Sequence, residues 1–138
     1  MSIKENKALV RHVVELWNQH DLDAYFEVLA PEYVEHLPSG DVSLEHLKKY
    51  AHTFFTAFPD ISFTITDMVA ERDKVAMLVN WKATHRGEYM GISATGKKID
   101  ISVFNLIRIK AGRWVEFWNV TDMRLMQQIG AFPKRWIF

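Results

Sequence analysis

Ring-bearing and carboxyl-bearing residues alternate near the end of the chain, in the string RWVEFWNVTD at 113–122. Read as a strand without a bulge, its period of two puts Trp114, Glu116, Trp118, Val120 and Asp122 on one face. Two carboxylates among two indoles are expensive to bury without a purpose, so this face is the first candidate for a reactive site. Asp122 also stands directly before a short helical piece, where aspartate is a favoured N-cap. His36, in EYVEHLP, is a second candidate because imidazole titrates near neutrality. A ring bonded to the backbone of the following PSG turn is the competing account. His85, in THRGEYMG, closes a strand beside a glycine-bearing loop, and anchoring that loop is its simpler role. Trp17, Tyr33, Trp81, Phe104 and Trp118 are candidates to line a pocket, with ordinary core packing as the alternative.

Other chemistries find no support in the residues. No histidine pair has HxH or HExxH spacing, and His46 and His52, six apart, fall on different helix faces. No metal is therefore expected, although His36 and His85 acting together would be the remaining arrangement. Gly87, Gly91 and Gly96 form no phosphate-binding pattern. The absence of cysteine removes disulfides, thiolate metal sites and a cysteine nucleophile, and fits a cytoplasmic location. Lysine plus arginine and aspartate plus glutamate number 17 each, so no net field draws the chain to nucleic acid or an anionic membrane. The first apolar stretch is interrupted by charges, unlike a signal peptide or a membrane span.

The elements that must position these residues change period midway. Ser2 with Glu5 has the form of a capping box, and Leu9, Val13, Leu16 and Trp17 recur behind it at helical spacing. Asp21 caps a second short helix that Pro31 ends, and after the loop HLPSGDV at 36–42 Ser43 caps a third that Pro59 stops. ISFTITDMV, KVAMLVNWKATH, KIDISVFNLIRI and RWVEFWNV then read as strands, with ERD and KAG as hairpin links. A short helical piece, MRLMQQI, is closed by Gly130. No repeat, linker or composition shift divides the chain, so residues 1–138 are read as one domain. Helices followed by long strands predict an α+β fold, and a long antiparallel sheet must twist and curl. Helices over such a sheet enclose a cavity open at one end.

Four strings in order, LWNQHDLDAYFEVLAPEYVEH, AFPDISFTITDMVAERDKVAM, THRGEYMGISATGK and EFWNVTDMRLMQQIG, give the chain its resemblance to the SnoaL-like polyketide cyclases. That family lies within the group sharing the nuclear transport factor 2 fold. The resemblance implies a cone-shaped α+β barrel, with three N-terminal helices packed on a curved, mainly antiparallel sheet and a homodimer formed through that sheet. It also implies that Asp122, after the ExW motif of Glu116 and Trp118, is the acid/base aspartate. Such a carboxyl removes a proton next to a carbonyl and protonates the resulting oxyanion, and an apolar pocket favours its protonated form. His36 and His85 match family histidines, and His36 is placed to orient a carbonyl or share a proton with Asp122. Trp17, Tyr33, His85, Phe104, Glu116 and Trp118 are the expected substrate contacts. Two departures stand out: Leu78 occupies a position where relatives often carry arginine, and Ser93 and Ala94 replace loop prolines.

The leading functional expectation is therefore cofactor-free acid/base chemistry, an aldol-type cyclisation or isomerisation, on a small apolar carbonyl compound. A hydrolase or dehydratase using Asp122 with His36 is a second reading, and a non-catalytic carrier of a hydrophobic ligand a third. A scaffold acting only through its dimer face is a fourth, and it predicts a pocket plugged by side chains. The aromatic tail FPKRWIF either folds over the pocket or lies on a partner subunit.

Overall fold

The computed structural model describes residues 2–130, with 121–124 described by their backbone alone; the tail at 131–138 lies outside the described residues. Helix α1 spans Ile3–Asn18 and α2 Leu22–Val28, followed by strands β1 (Leu29–Leu37) and β2 (Gly40–Ser43). Helices α3 (Leu44–Tyr50) and α4 (His52–Ala57) precede the long strands β3 (Ser62–Glu71), β4 (Lys74–Thr84) and β5 (Lys98–Lys110). Strand β6 (Arg113–Trp118) and helix α5 (Thr121–Gln128) complete the order. The fold is the expected α+β, a curved mixed sheet with helices on one face.

Local chemistry sets the helix starts. The Ser2 hydroxyl accepts from the Glu5 backbone N–H while the Glu5 carboxylate accepts from that of Ser2, a complete capping box. Asp21 caps α2 through the Ala24 N–H, and Ser43 caps α3 through the His46 N–H. Each such cap is worth about 1 kcal/mol. Both ends of α1 are fastened to the β3 region. The Asn18 amide donates to the Phe63 carbonyl and accepts from its N–H, each at 2.8 Å, and the Asn6 amide donates to the Arg72 carbonyl at 3.1 Å.

The sheet order is β2-β1-β6-β5-β4-β3, with β1 parallel to β6 and every other pair antiparallel. The two hairpin links are tight. Arg72 takes a positive φ of 55° in one, and Ala111 and Gly112 take 52° and 73° in the other.

Three expectations need correction. Pro31 does not end α2, which stops at Val28; Pro31 lies within β1. The stretch expected as a loop after it forms the end of β1 and the hairpin to β2, giving six strands where periodicity showed four. The third helix is broken at Ala51 into α3 and α4. Buried side chains from α1, the sheet, α4 and α5 form one apolar cluster on the helix-covered face, including Val10, Val13, Phe58, Trp81, Ile107 and Leu125.

Candidate active site

A cavity of about 740 Å³ lies between that sheet face and helices α1, α3 and α4. Its volume is within the range that holds a small organic molecule. Trp17, Phe63 and Trp81 form one wall, with ring centroids 5.9 Å apart for Trp17–Phe63 and 5.5 Å for Phe63–Trp81. Trp114 and Phe117 stack at 5.3 Å and contribute the opposite part of the sheet. Leu37, Ser39 and Val42 around the β1–β2 turn, Leu47 and Tyr50 on α3, and residues 88–91 supply further lining. An open cavity of this size is contrary to the scaffold reading, which predicts side chains filling it.

Polar lining comes from His46, His52, Thr53 and Thr56 on the helices and from Ser39 and Glu88 in the connections between elements, and on the sheet it centres on Glu35. This carboxylate lines the cavity yet is only 8% exposed. The Tyr33 hydroxyl donates to its Oε1 at 2.7 Å, and the Asn119 amide donates to its Oε2 at 3.3 Å. The Asn105 amide in turn donates to the Asn119 Oδ1 and to the Trp118 carbonyl, each at 3.3 Å. The Asn119 backbone N–H donates to the His36 carbonyl at 2.9 Å, tying the end of β6 to β1. Burial pushes the Tyr33 phenol well above its usual range, with Tyr25 and Glu35 adding to the shift. Burial and then Glu35 likewise raise Tyr25. Both phenols thus stay protonated at neutral pH, and Tyr33 is a fixed hydrogen-bond donor to Glu35.

The expected alternation along β6 fails because a bulge intervenes. Arg108 pairs with Glu116 and Ile109 with Trp114, so Val115 is an extra residue in β6. Trp114 faces the cavity, the next cavity residues are Phe117 and Asn119, and Glu116 and Trp118 turn to the other face. The same alternation governs β1: Glu35 and Leu37 line the cavity, so His36 between them points away from it.

On that open face His36, Glu116 and Trp118 do come together. The His36 ring stacks on Trp118 at 4.8 Å. Its Nδ1 lies 2.8 Å from Asp41 Oδ1 and its Nε2 2.8 Å from Glu116 Oε2. Arg108 donates to the other Glu116 oxygen through Nε at 2.6 Å and Nη2 at 2.5 Å. Hydrogen bonding first to Glu116 and then to Asp41 raises the His36 pKa above 6.5, while His36 and then Arg108 lower that of Glu116 below 4.5. This is a charge-balanced clamp holding the β1–β2 hairpin to β6, on the side of the sheet away from the cavity.

The remaining candidates separate as follows. Trp17 lines the cavity, and Tyr33 is buried beneath it as the partner of Glu35. Phe104 is 71% exposed on the open face, where Leu78 pairs with it across β4 and β5. Position 78 therefore faces away from the cavity. His85 is fully buried beside Phe58 and is not among the cavity's lining residues. Its Nδ1 accepts from the Thr95 N–H at 3.2 Å and its backbone N–H donates to the Lys97 carbonyl, fastening the loop after β4. Helix α5 has Val120 as its N-cap, so Asp122 falls within the first turn and not at the cap. The Asp122 side chain lies outside what is described. No cluster of three potential metal ligands occurs among the described residues.

Sequence reading missed Glu35, Asn105 and Asn119. The usable signal is alternation in EYVEHL about Tyr33, Glu35 and Leu37, hidden because the segment lies between the expected helix end at Pro31 and the expected loop HLPSGDV.

A family model for SnoaL-like polyketide cyclases matches residues 7–129. Among solved structures, AclR of Streptomyces galilaeus, a candidate hydroxylase, is 31% identical with a TM-score of 0.84, covering 96% of this chain and 100% of its own. IdmH of Streptomyces antibioticus, a candidate polyketide cyclase, is 27% identical with a TM-score of 0.77, covering 91% and 98% respectively. A candidate polyketide cyclase of Acidithiobacillus ferrooxidans is 27% identical with a TM-score of 0.74, covering 94% and 97%. A search of curated proteins finds no match.

Proposed function

Because the chain belongs to the SnoaL-like polyketide cyclase family, we propose that it is a small-molecule enzyme performing acid/base chemistry on an apolar, cyclic or polyketide-like carbonyl compound. The observation that carries this reading is the 740 Å³ cavity walled by aromatic rings and lined by Glu35, Asn105 and Asn119 on the sheet side. Flat rings match a flat ligand, and a carbonyl is the group whose neighbouring C–H bonds a carboxyl acts on. Asp122, at the position of the family's acid/base aspartate, supplies the proton transfer in an aldol-type cyclisation or isomerisation. Replacing it with asparagine keeps the size of the side chain and removes the acid. Turnover by Asp122→Asn is expected to fall about 100-fold, the scale of general acid–base catalysis. Unchanged turnover would exclude the mechanism, and release of a bound ligand chemically unaltered by the wild type would make the protein a carrier.

Hydroxylation of the bound ligand is a second reading, favoured by the 31% identity to the candidate hydroxylase AclR. Dioxygen uptake coupled to ligand consumption separates the two. The protein further acts as a homodimer through the open sheet face, which presents Phe104 at 71% and Val69 at 63% exposure.

A further inference from the structure

The turn at the cavity rim places backbone strain on a long apolar side chain. Tyr89 and Ile92 exchange backbone hydrogen bonds of 2.9 Å in both directions, which closes a tight turn over Met90 and Gly91. Met90 takes a φ of 48° and Gly91 one of 80°. A turn of this length with both φ positive is of type I′, whose first central place favours asparagine, aspartate or glycine. Methionine there sets its Cβ against the backbone, and its side chain makes no local hydrogen bond to offset the cost. Packing does not account for it, because Met90 is 68% exposed although it lines the cavity. The other described non-glycine residues with positive φ differ. Arg72 and Ala111 turn the two hairpin links, and His20 stacks on Phe55 at 4.0 Å. The strained turn is nonetheless fixed in place. Tyr89 is buried, with its ring 5.5 Å from that of Phe54 and 5.3 Å from that of Phe58. Just before it, the Arg86 and Gly87 N–H groups donate to the Ala57 carbonyl. Tyr50, the last residue of α3, also lines the cavity while 46% exposed. Lining side chains that are themselves exposed mark the mouth, so Met90 and Tyr50 give it an apolar rim.

We infer that Met90 is a specificity-determining residue, whose thioether side chain packs on the outer end of a bound flat ligand and favours ligands long enough to reach the mouth. The inference rests on reading the cavity as a small-molecule site. A bound ring covers the apolar surface that Met90 leaves in water in the free protein. Methionine is unbranched and adapts to the outline of a ring, and its sulfur makes favourable contacts at ring edges. The strain is then a stability cost that serves binding. Relieving that strain and keeping the ligand contact therefore act in opposite directions, which a residue with a structural role alone would not show.

The probes are two flat ketones of different length, 2-tetralone with a pair of fused rings and the longer, three-ring 1,8-dihydroxyanthraquinone. Their binding is followed by quenching of tryptophan fluorescence, since Trp17, Trp81 and Trp114 line the cavity. Met90→Asn supplies a residue that the turn prefers, and it should raise Tm by a few degrees. The same variant should weaken binding of the longer ketone about fivefold or more, and that of 2-tetralone less than about twofold. Met90→Leu keeps both the apolar side chain and the strain. It should bind each ketone within about twofold of the wild type, with Tm close to the wild-type value. A lower Tm in Met90→Asn would overturn the inference, as would equal weakening of the two ketones. If both ketones bind the wild type and Met90→Asn holds them as tightly, Met90 has no part in selection and the cavity reading stands. If neither ketone binds the wild type, the cavity reading falls and the inference with it.

Discussion

His36 shows how one side chain's facing decides what its chemistry is for. Both ring nitrogens meet carboxylate oxygens at 2.8 Å, which suits the doubly protonated ring donating on both sides. Its pKa is raised in the folded protein, so its contribution to stability is complete below the ordinary value of 6.5 and is lost as pH rises through the folded value. Glu116 is lowered, so its contribution is complete above the ordinary value of 4.5 and is lost as pH falls through the folded value. The clamp is therefore strongest between pH 4.5 and 6.5. Thermal melts of wild type and His36→Gln should show the widest gap in Tm near the middle of that window. The gap should close as pH rises to alkaline values, and a gap independent of pH would remove the clamp. The sequence marks His36 as a titratable group beside aromatic residues, and it does stack on Trp118. Which face it occupies follows from strand parity, which is unreadable until the segment is known to be a strand.

At the scale of elements, the helix caps, the tight hairpins and the four long strands were legible because each has a short-range signature. Ser2, Asp21 and Ser43 cap as their residue types require. The strand β1 was hidden because its first half contains Pro31 and its polar residues break an apolar run. Its parallel pairing with β6 is a long-range contact with no local mark. The Val115 bulge was equally silent, and it moves Glu116 and Trp118 from the expected face to the other. Close packing of the loop at the cavity rim gives a test at this scale. The Gly87 and Arg86 N–H groups donate to the Ala57 carbonyl, and a Cβ at Gly87 would meet the Thr56 carbonyl. Gly87→Ala should cost about 1–3 kcal/mol, as overpacking does. It should also weaken ligand binding, because residues 88–91 line the cavity. A variant with unaltered denaturant midpoint and affinity would show that the loop does not depend on this contact.

The whole molecule is a sheet with two faces of different use. One is roofed by helices and encloses the cavity, and the other carries the His36 clamp and exposed apolar residues. Phe104, exposed at 71%, and Val69, at 63%, belong to the second face. The proposed dimer would cover this apolar area, and on that proposal Phe104→Glu should shift sedimentation from dimer to monomer while leaving the fold intact. A monomeric wild type would remove that assignment. Fold class and the presence of a cavity were legible from helices followed by long strands. The composition of the site was legible only in part: Trp17 was found, and Glu35 was not.

The account turns on which face of the sheet receives the ligand, and calorimetric titration of 2-tetralone against two variants measures this directly. Leu47, on α3, lines the cavity, whereas His36 lies on the far side of the sheet. Binding should weaken about tenfold or more in Leu47→Trp, which fills the cavity, a loss of about 1.4 kcal/mol. It should be unchanged in His36→Gln. Undiminished binding to Leu47→Trp together with loss of binding to His36→Gln would place the ligand on the open face and contradict the account.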